Sequence, residues 1–325
     1  MKVLVVGGAG YIGSHMVKNL HLNKTDVVTL DNLSAGFRDA VLFGEFVEGD
    51  IQDRSMLDAL FARHKFDAVL HFASFIQVGE SVKLPSKYYK NNFTNTQNLL
   101  DAMVDHGINR FIFSSTAAIF GEPEYVPIDE LHPKKPINPY GKSKFMVELL
   151  LEDYAAAYGM KSVCLRYFNA AGADEQSRIG ERHEPETHLI PLVLQAASKR
   201  RNAITVFGKD YDTPDGTCIR DYIHIDDLCD AHTLALNYLM QGGSSTAFNL
   251  GNGEGYSIRD VINAAEKVSG NSIKVIEGER REGDPARLIA DSRKIFRELD
   301  WKPRYADLQT IVKHAWQWEL KYPWK

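Results

Sequence analysis

Cysteine is scarce: Cys164, Cys218 and Cys229 are the three in 325 residues, at long and unequal spacings. An odd count so spaced argues against a disulfide framework and against the paired-cysteine patterns of zinc sites, and fits a reducing, cytoplasmic compartment. No run of about 20 apolar residues occurs, so no membrane-spanning helix and no membrane partner are expected. The N-terminus lacks the basic region, apolar stretch and small-residue cleavage site of a secretory signal. Long runs of like charge are missing too. The densest basic group is Lys199-Arg200-Arg201 and the formal net charge is -5, so no nucleic-acid partner is expected. No internal repeat or low-complexity segment stands out. What is present is ordinary globular composition, 44% hydrophobic and 25% charged, in a chain long enough for one large core or two unequal domains.

The first half alternates strand and helix patterns. Short apolar runs at Lys2–Val6, Val27–Leu30, Phe46-Val47, Ala68–Phe72, Arg110–Ser114 and Ser162–Arg166 read as strands covered on both faces. Helical patterns at Ser14–Leu22, Ser55–His64, Lys90–His106 and Lys142–Tyr158 separate them. This repetition predicts an α/β fold: a Rossmann-type doubly wound parallel sheet with a smaller, interleaved C-terminal substrate domain. The expected division is 1–169 for the dinucleotide domain, with returning segments at about 217–251, and mainly 170–325 for the substrate domain. In the second half, Ala173–Glu186, Gly208–Gly216 and Arg280–Arg287 read as loops. Leu189–Lys199, Asp227–Met240, Ser257 to about Gly270, and Asp307–Leu320 read as helices; Ala247–Leu250 and Ile273–Ile276 read as strands.

Gly7-Gly8-Ala9-Gly10-Tyr11-Ile12-Gly13 follows the first strand and opens the first helix. In this position Gly7 allows a tight turn, Gly10 lets backbone approach a pyrophosphate, and Gly13 allows close helix–sheet packing, with the helix amides facing the phosphates. A bare glycine pattern also fits a tight structural turn, but the flanking strand and helix and a later acid agree on a dinucleotide. Asp31 ends the second strand, 18 residues after Gly13. A carboxylate there accepts hydrogen bonds from a ribose diol and repels a 2'-phosphate, which favours NAD over NADP, although Arg38 lies nearby. Asp50-Ile51 after the third strand suits either an adenine contact or an ordinary turn.

Tyr140 and Lys144 are four residues apart where Pro139 introduces a helix, which puts both on one face and leaves Lys142 off it. An ammonium beside a phenol favours phenolate, and a phenolate can take a proton from a substrate hydroxyl. Alone, the spacing equally fits an idle surface pair. Its context is Phe113-Ser114-Ser115-Thr116 at the carboxyl end of a parallel strand, where ligands sit in such sheets. Thr116 is placed to bond the reacting hydroxyl; Ser114 suits backbone contacts or the nicotinamide side. A hydroxyl, a phenol and an amine beside a dinucleotide match hydride chemistry at an alcohol carbon.

With those elements stand Asp31-Asn32, His71-Phe72-Ala73, Val78-Gly79-Glu80-Ser81, Tyr88 to Asn92, and Tyr140-Gly141-Lys142-Ser143-Lys144. Arg166-Tyr167-Phe168-Asn169, Arg220-Asp221-Tyr222-Ile223-His224 and Arg281-Glu282-Gly283-Asp284 follow. In this order and spacing they resemble, over essentially the whole chain, the extended short-chain dehydrogenase/reductase superfamily and within it the UDP-glucose 4-epimerase family. The resemblance implies tightly held NAD and reversible 4-epimerization of UDP-galactose and UDP-glucose through a 4-keto sugar. Tyr140 is implied as the acid–base group, Thr116 as its bridge to the sugar and Lys144 as the lysine on the nicotinamide ribose. Tyr11, Ile12, Asn32, Phe72, Ala73, Asn91 and Tyr167 match cofactor-side positions. Asn169, His188, Leu189, Arg220, Arg281, Asp284 and Leu288 match the side of the UDP-sugar. Arginines suit a diphosphate through their fixed fork of donors, although surface ion pairing fits Arg220 and Arg281 as well.

Three positions depart from common members: Ile76 stands in place of a lysine, His188 in place of an asparagine, and Leu288 in place of either a tyrosine that excludes an N-acetyl group or a small residue that admits one. UDP-N-acetylhexosamines and UDP-pentoses therefore stay open as substrates. Related dehydratases carry acids directly after the threonine; Ala117 and Ala118 stand there, which favours epimerization. A non-catalytic dinucleotide sensor would not need Thr116, Tyr140 and Lys144 together. His183 and His188 have no third ligand at suitable spacing, so no metal is expected. The resemblance implies a homodimer packed through segments near Asn92–His106 and Lys142–Tyr158.

Overall fold

The computed structural model describes residues 1–281, 284–322 and 324. The chain forms two units. One contains Met1–Gly121, Pro133–Arg166 and Cys229–Phe248; the other contains Glu122–His132, Tyr167–Leu228 and Asn249–Lys325. The late return into the first unit is thus narrower than 217–251, and residues 122–132 belong to the second unit, an excursion without a sequence signal.

The first unit is built on a seven-stranded sheet in the order Thr246–Leu250, Lys161–Tyr167, Arg110–Thr116, Ala68–His71, Lys2–Val6, Asp26–Asp31, Glu45–Glu48. The four pairings from Glu45–Glu48 across to Arg110–Thr116 are all parallel. This is the expected Rossmann-type architecture. Val3, Leu4 and Val5 are fully buried, as a strand sandwiched between helix layers requires. Leu57, Leu99, Met103 and Phe111 join Leu4 and Val69 in the core. Each such side chain contributes roughly 1.5–3 kcal/mol by leaving water.

Local chemistry sets the helix ends. The helix Tyr11–Leu22 begins three residues before the expected Ser14, because Gly10 is its N-cap. Asp53 caps Arg54–Arg63 by accepting from the Met56 N–H. Asn138 caps Pro139–Tyr158 by accepting from the Gly141 N–H, with Pro139 in the first turn and Gly159 ending it. The expected helix Lys90–His106 is instead a π-helical turn, Tyr89–Thr94, running into an α-helix, Asn95–Asp105.

In the second unit Leu189–Ala197, Ile258–Ser269 and Leu308–Lys321 pack together around Val193, Val261, Ile311 and Trp316. Ser257 and Asp260 form a reciprocal capping box, and Gly270 closes the same helix. The strand expected at Ile273–Ile276 lies at Val275–Gly278, because its register is fixed by pairing with Ile204–Phe207, a strand not foreseen. The helix Arg293–Leu299 was also unforeseen. No helix among the described residues is long and apolar enough to cross a membrane.

Candidate active site

Strand register brings the first unit's candidates into one row. Val6 pairs with Leu30 and with His71, and His71 pairs with Phe113. Gly7, Asp31, Phe72 and Ser114 each come one residue later, so they share the carboxyl edge of the sheet. Gly7 has a φ of 78°, and a Cβ on it would lie 2.4 Å from the Ala73 nitrogen. A Cβ on Gly13 would lie 2.1 Å from the Gly7 carbonyl oxygen. These contacts press Phe72-Ala73, the glycine turn and the helix together, leaving no room for larger residues.

The same edge fits a dinucleotide. A Cβ built on Gly10 would meet within 4 Å only the Gly7 oxygen, at 3.4 Å, and the helix Tyr11–Leu22 that Gly10 opens carries no side-chain cap. Such an end suits a pyrophosphate. Ile12 and Gly13 follow in its first turn, and Tyr11 stands edge-on to His15 with ring centroids 5.2 Å apart. The Asp31 carboxylate is buried and oriented by two N–H donors, Ala9 at 2.9 Å and Leu33 at 2.8 Å. Burial raises its pKa from the ordinary carboxylate value against the pull of those donors. Arg38 lies over the Phe46 ring, 4.4 Å from its centroid, and donates to the Val41 carbonyl.

Other cofactor-side candidates fall differently. Asp50 accepts from the Asn32 amide at 2.7 Å and from the Gln52 N–H at 2.8 Å. Ile51 is buried in the core and its carbonyl accepts from Asn98. Asn91 donates to Asn92 at 2.9 Å. Asn92, which sequence reading passed over, is buried and bonds both backbone groups of Phe75 and the Ser143 hydroxyl. Tyr167 closes the strand Lys161–Tyr167.

Thr116, Tyr140 and Lys144 do come together. Thr116 lies close enough to the Tyr140 phenol to pull its pKa down, and its Oγ1 accepts from the Ala118 N–H at 3.1 Å, holding the turn Ala117–Ile119. Lys144 is buried; its Nζ donates to the Ser114 carbonyl at 2.8 Å and sits 4.8 Å from the Phe113 ring centroid. Burial drives the Lys144 amine down to about 7. The Tyr140 phenol does not follow the expected direction. Burial raises its pKa, and Thr116 only partly opposes this. Lys144 Nζ is bonded to the Ser114 backbone. Lys142 is exposed, as the helical face requires.

Beneath them lies a pair that sequence reading missed. Glu148 accepts from Arg166 Nε at 3.0 Å and Nη2 at 2.6 Å, and from the Ser115 hydroxyl at 2.6 Å. Both ions are buried. Glu148 is one turn beyond Lys144 on the same helix face, so the run Tyr140, Lys144, Glu148 at spacings of four was the available signal. The pair ties that helix to the strands carrying Ser115 and Arg166.

The substrate-side candidates below belong to the second unit. Arg220 pairs with Asp284, and Leu288 is its register partner on the neighbouring strand. Arg281 lies over Phe207, 4.0 Å from the ring centroid. Asn169 donates to the Asp221 carbonyl at 2.9 Å. The Asp221 carboxylate serves structure: it accepts from the N–H groups of Asn252, Gly253 and Ala290. Burial lifts its pKa to about 6 against those donors. Glu282 and Gly283 lie outside the described residues. Leu189 opens the helix Leu189–Ala197 and His188 is its N-cap. His188 and His183 do not stand without further ligands, as the sequence reading had it: Glu181 and Glu186 fold back onto both. Spacing rules that counted only histidine and cysteine overlooked these carboxylates.

An open dinucleotide edge with a Thr–Tyr–Lys constellation defines an NAD-handling hydride-transfer fold. The NAD dependent epimerase/dehydratase family model matches residues 3–251 of the chain, and the chain belongs to that family. It is 52% identical to the UDP-glucose 4-epimerase of Rhizobium meliloti, over 98% of this chain and 97% of the relative. The crystal structure of UDP-glucose 4-epimerase from Brucella ovis in complex with NAD superposes with a TM-score of 0.95 at 48% identity, covering 97% of both chains. The UDP-Glc/GlcNAc 4-epimerase from Campylobacter jejuni superposes with a TM-score of 0.87 at 46% identity, covering 99% of both.

Proposed function

We propose that this chain is an NAD-dependent UDP-sugar 4-epimerase that interconverts UDP-galactose and UDP-glucose through a 4-keto sugar. The observation that carries the proposal is Thr116 beside the Tyr140 phenol, on a strand of the sheet whose carboxyl edge also holds Gly7 and Asp31. Relatives with this name cover nearly the whole chain.

The glycine turn and helix start at Gly7 to Gly13 hold the pyrophosphate, and Asp31 holds a ribose diol. When bound, NAD supplies a reversible hydride acceptor for C4 of the sugar. Tyr140 takes the proton of the sugar 4-hydroxyl as the C4 hydride leaves, so the C4–O bond becomes a carbonyl. Thr116 sits between that hydroxyl and the phenol and lowers the phenol's pKa against burial. Lys144, fixed by Ser114, would hold the nicotinamide ribose when the cofactor is bound. Were the 4-keto sugar to turn over and present its other face, hydride given back to that face, with the proton returned by Tyr140, would invert C4. Such acid–base assistance is worth about 10²–10⁴ in rate. Elimination needs an acid beside the leaving hydroxyl, and Ala117 and Ala118 offer none.

Arg220 and Arg281 take the diphosphate, Asp284 orients Arg220, and Asn169, His188, Leu189 and Leu288 line the sugar and uridine side. Leu288, smaller than a tyrosine, supports a second reading in which an N-acetyl group is also accepted, in keeping with the dual name of the Campylobacter jejuni relative. Assays with UDP-galactose and UDP-N-acetylgalactosamine, without added reductant, test both readings. Epimerization of neither substrate by NAD-saturated protein refutes the function. Leu288→Tyr should remove only the acetylated activity. The buried free cysteines fit a cytoplasmic enzyme. Leu149 and Tyr158, exposed on the long helix, fit a homodimer interface that light scattering would detect.

A further inference from the structure

The loop before the helix Leu189–Ala197 carries two Glu-x-His tripeptides, Glu181-Arg182-His183 and Glu186-Thr187-His188. The fold closes them on each other. One ligand atom from each of Glu181, His183, Glu186 and His188 lies within 4.8 Å of the other three. His188 Nδ1 is 2.8 Å from Glu181 Oε1 and 3.1 Å from Glu186 Oε1. His183 Nδ1 is 3.4 Å from Glu181 Oε1 and 3.5 Å from Glu186 Oε2. Zinc bonds of 2.0–2.1 Å to nitrogen and oxygen in a tetrahedron require ligand atoms about 3.3 Å apart. The four imidazole–carboxylate separations fall on either side of that value, with Glu186 turning a different oxygen to each imidazole, and small side-chain shifts would close the full set. We propose that Glu181, His183, Glu186 and His188 form a binding site for one divalent transition ion of the zinc class.

The site is built rather than incidental. Both carboxylates are buried and His183 is mostly so, while His188 is partly exposed, leaving a way in. A small cavity of about 20 Å³, which Glu181, His183 and Glu186 line together with Arg200, Trp318 and Glu319, lies beside the cluster. The Trp318 indole N–H donates to the Glu181 carbonyl at 3.0 Å and fixes the first ligand's backbone. Two imidazoles with two carboxylates suit zinc and its neighbours and do not suit calcium or magnesium, which take oxygen ligands. Without an ion, the same contacts are imidazole–carboxylate pairs, so the loop stays closed and the ligands are already in place. The ion would clamp residues 181–188 as a structural site, next to the point where His188 is proposed to meet the substrate.

The test uses full-length, untagged protein freed of metal by chelator. Titration with zinc, followed by calorimetry and metal analysis after desalting, should give one zinc per chain, and zinc should raise the melting temperature. Cobalt in place of zinc should give the intense visible bands of a tetrahedral N/O site without thiolate charge transfer. His183→Asn and Glu186→Gln, each checked by circular dichroism, should weaken binding at least tenfold and abolish the zinc-dependent melting shift. The proposal is overturned if wild-type protein retains no stoichiometric zinc, if cobalt binds with a weak octahedral spectrum, or if the folded variants bind zinc as the wild type does. Because the cobalt spectrum is read on wild-type protein, a variant that fails to fold does not remove the test.

Discussion

Lys144 Nζ donates to the carbonyl of Ser114 across 2.8 Å, inside a site that excludes water from both. The lysine is held in place by backbone, and its charge is expensive there. Burial lowers its pKa from the ordinary 10.5 to about 7. Between those values the unfolded chain binds the proton that the native state has released, so stability rises with pH from about 7 to 10.5. Lys144→Met should therefore melt higher than wild type at pH 7, by at most about 5 kcal/mol on the linkage constant less about 1 for the lost hydrogen bond. The gap should close toward pH 10. Parallel melting curves with the variant below wild type throughout would contradict the assignment.

Thr116 opposes the effect of burial on the Tyr140 phenol. Removing its hydroxyl in Thr116→Ala should raise the phenol's pKa further. The alkaline-going limb of kcat/KM should shift to higher pH, and the activity lost at neutral pH should be partly recovered in base. A loss independent of pH would mean that Thr116 acts only in packing.

Glu148 and Arg166 are a buried, two-pronged pair with Ser115 on the same carboxylate. Glu148→Gln leaves a guanidinium without its counterion and should cost about 3–5 kcal/mol, read as a lower urea midpoint. A Glu148→Gln, Arg166→Met double variant should lose less than Glu148→Gln alone. Equal or additive losses would show that the pair is not coupled.

Gly13 has no room for a methyl group, since a Cβ would stand 2.1 Å from the Gly7 carbonyl oxygen. Gly13→Ala should force the glycine turn off the helix and reduce NAD affinity by more than tenfold, as measured by nicotinamide absorbance or fluorescence retained on desalting. Gly79→Ala, a position with nothing within 4 Å of the added carbon, is the matched control and should bind as wild type.

Much of this was legible in the chain itself, because it rests on local patterns. The apolar run Val3–Val6 followed by Gly7, Gly10 and Gly13, and Asp31 at the end of the next strand, carry the sheet edge in their spacing. Tyr140 and Lys144 carry a helix face. What escaped depends on distant pairing. Ile204–Phe207 becomes a strand only beside Val275–Gly278, and short apolar runs of four residues have no decisive period. Glu148 meets Arg166 through tertiary packing, and the carboxylates of Glu181 and Glu186 meet His183 and His188 by loop closure that no helical or strand period encodes. The bond of Lys144 Nζ to the Ser114 carbonyl escaped for a related reason: a shared helix face does not say where an ammonium points.

The central claim is that the C4 hydride leaves the sugar and returns to the same molecule with inversion. UDP-galactose carrying deuterium at C4, incubated with NAD-saturated protein in ordinary water, tests it directly. The expected product is UDP-glucose that keeps the deuterium at C4, with Tyr140→Phe slowing its formation by about 10²–10⁴. UDP-glucose in which hydrogen from water has replaced the deuterium, or unimpaired turnover by Tyr140→Phe, would contradict the account.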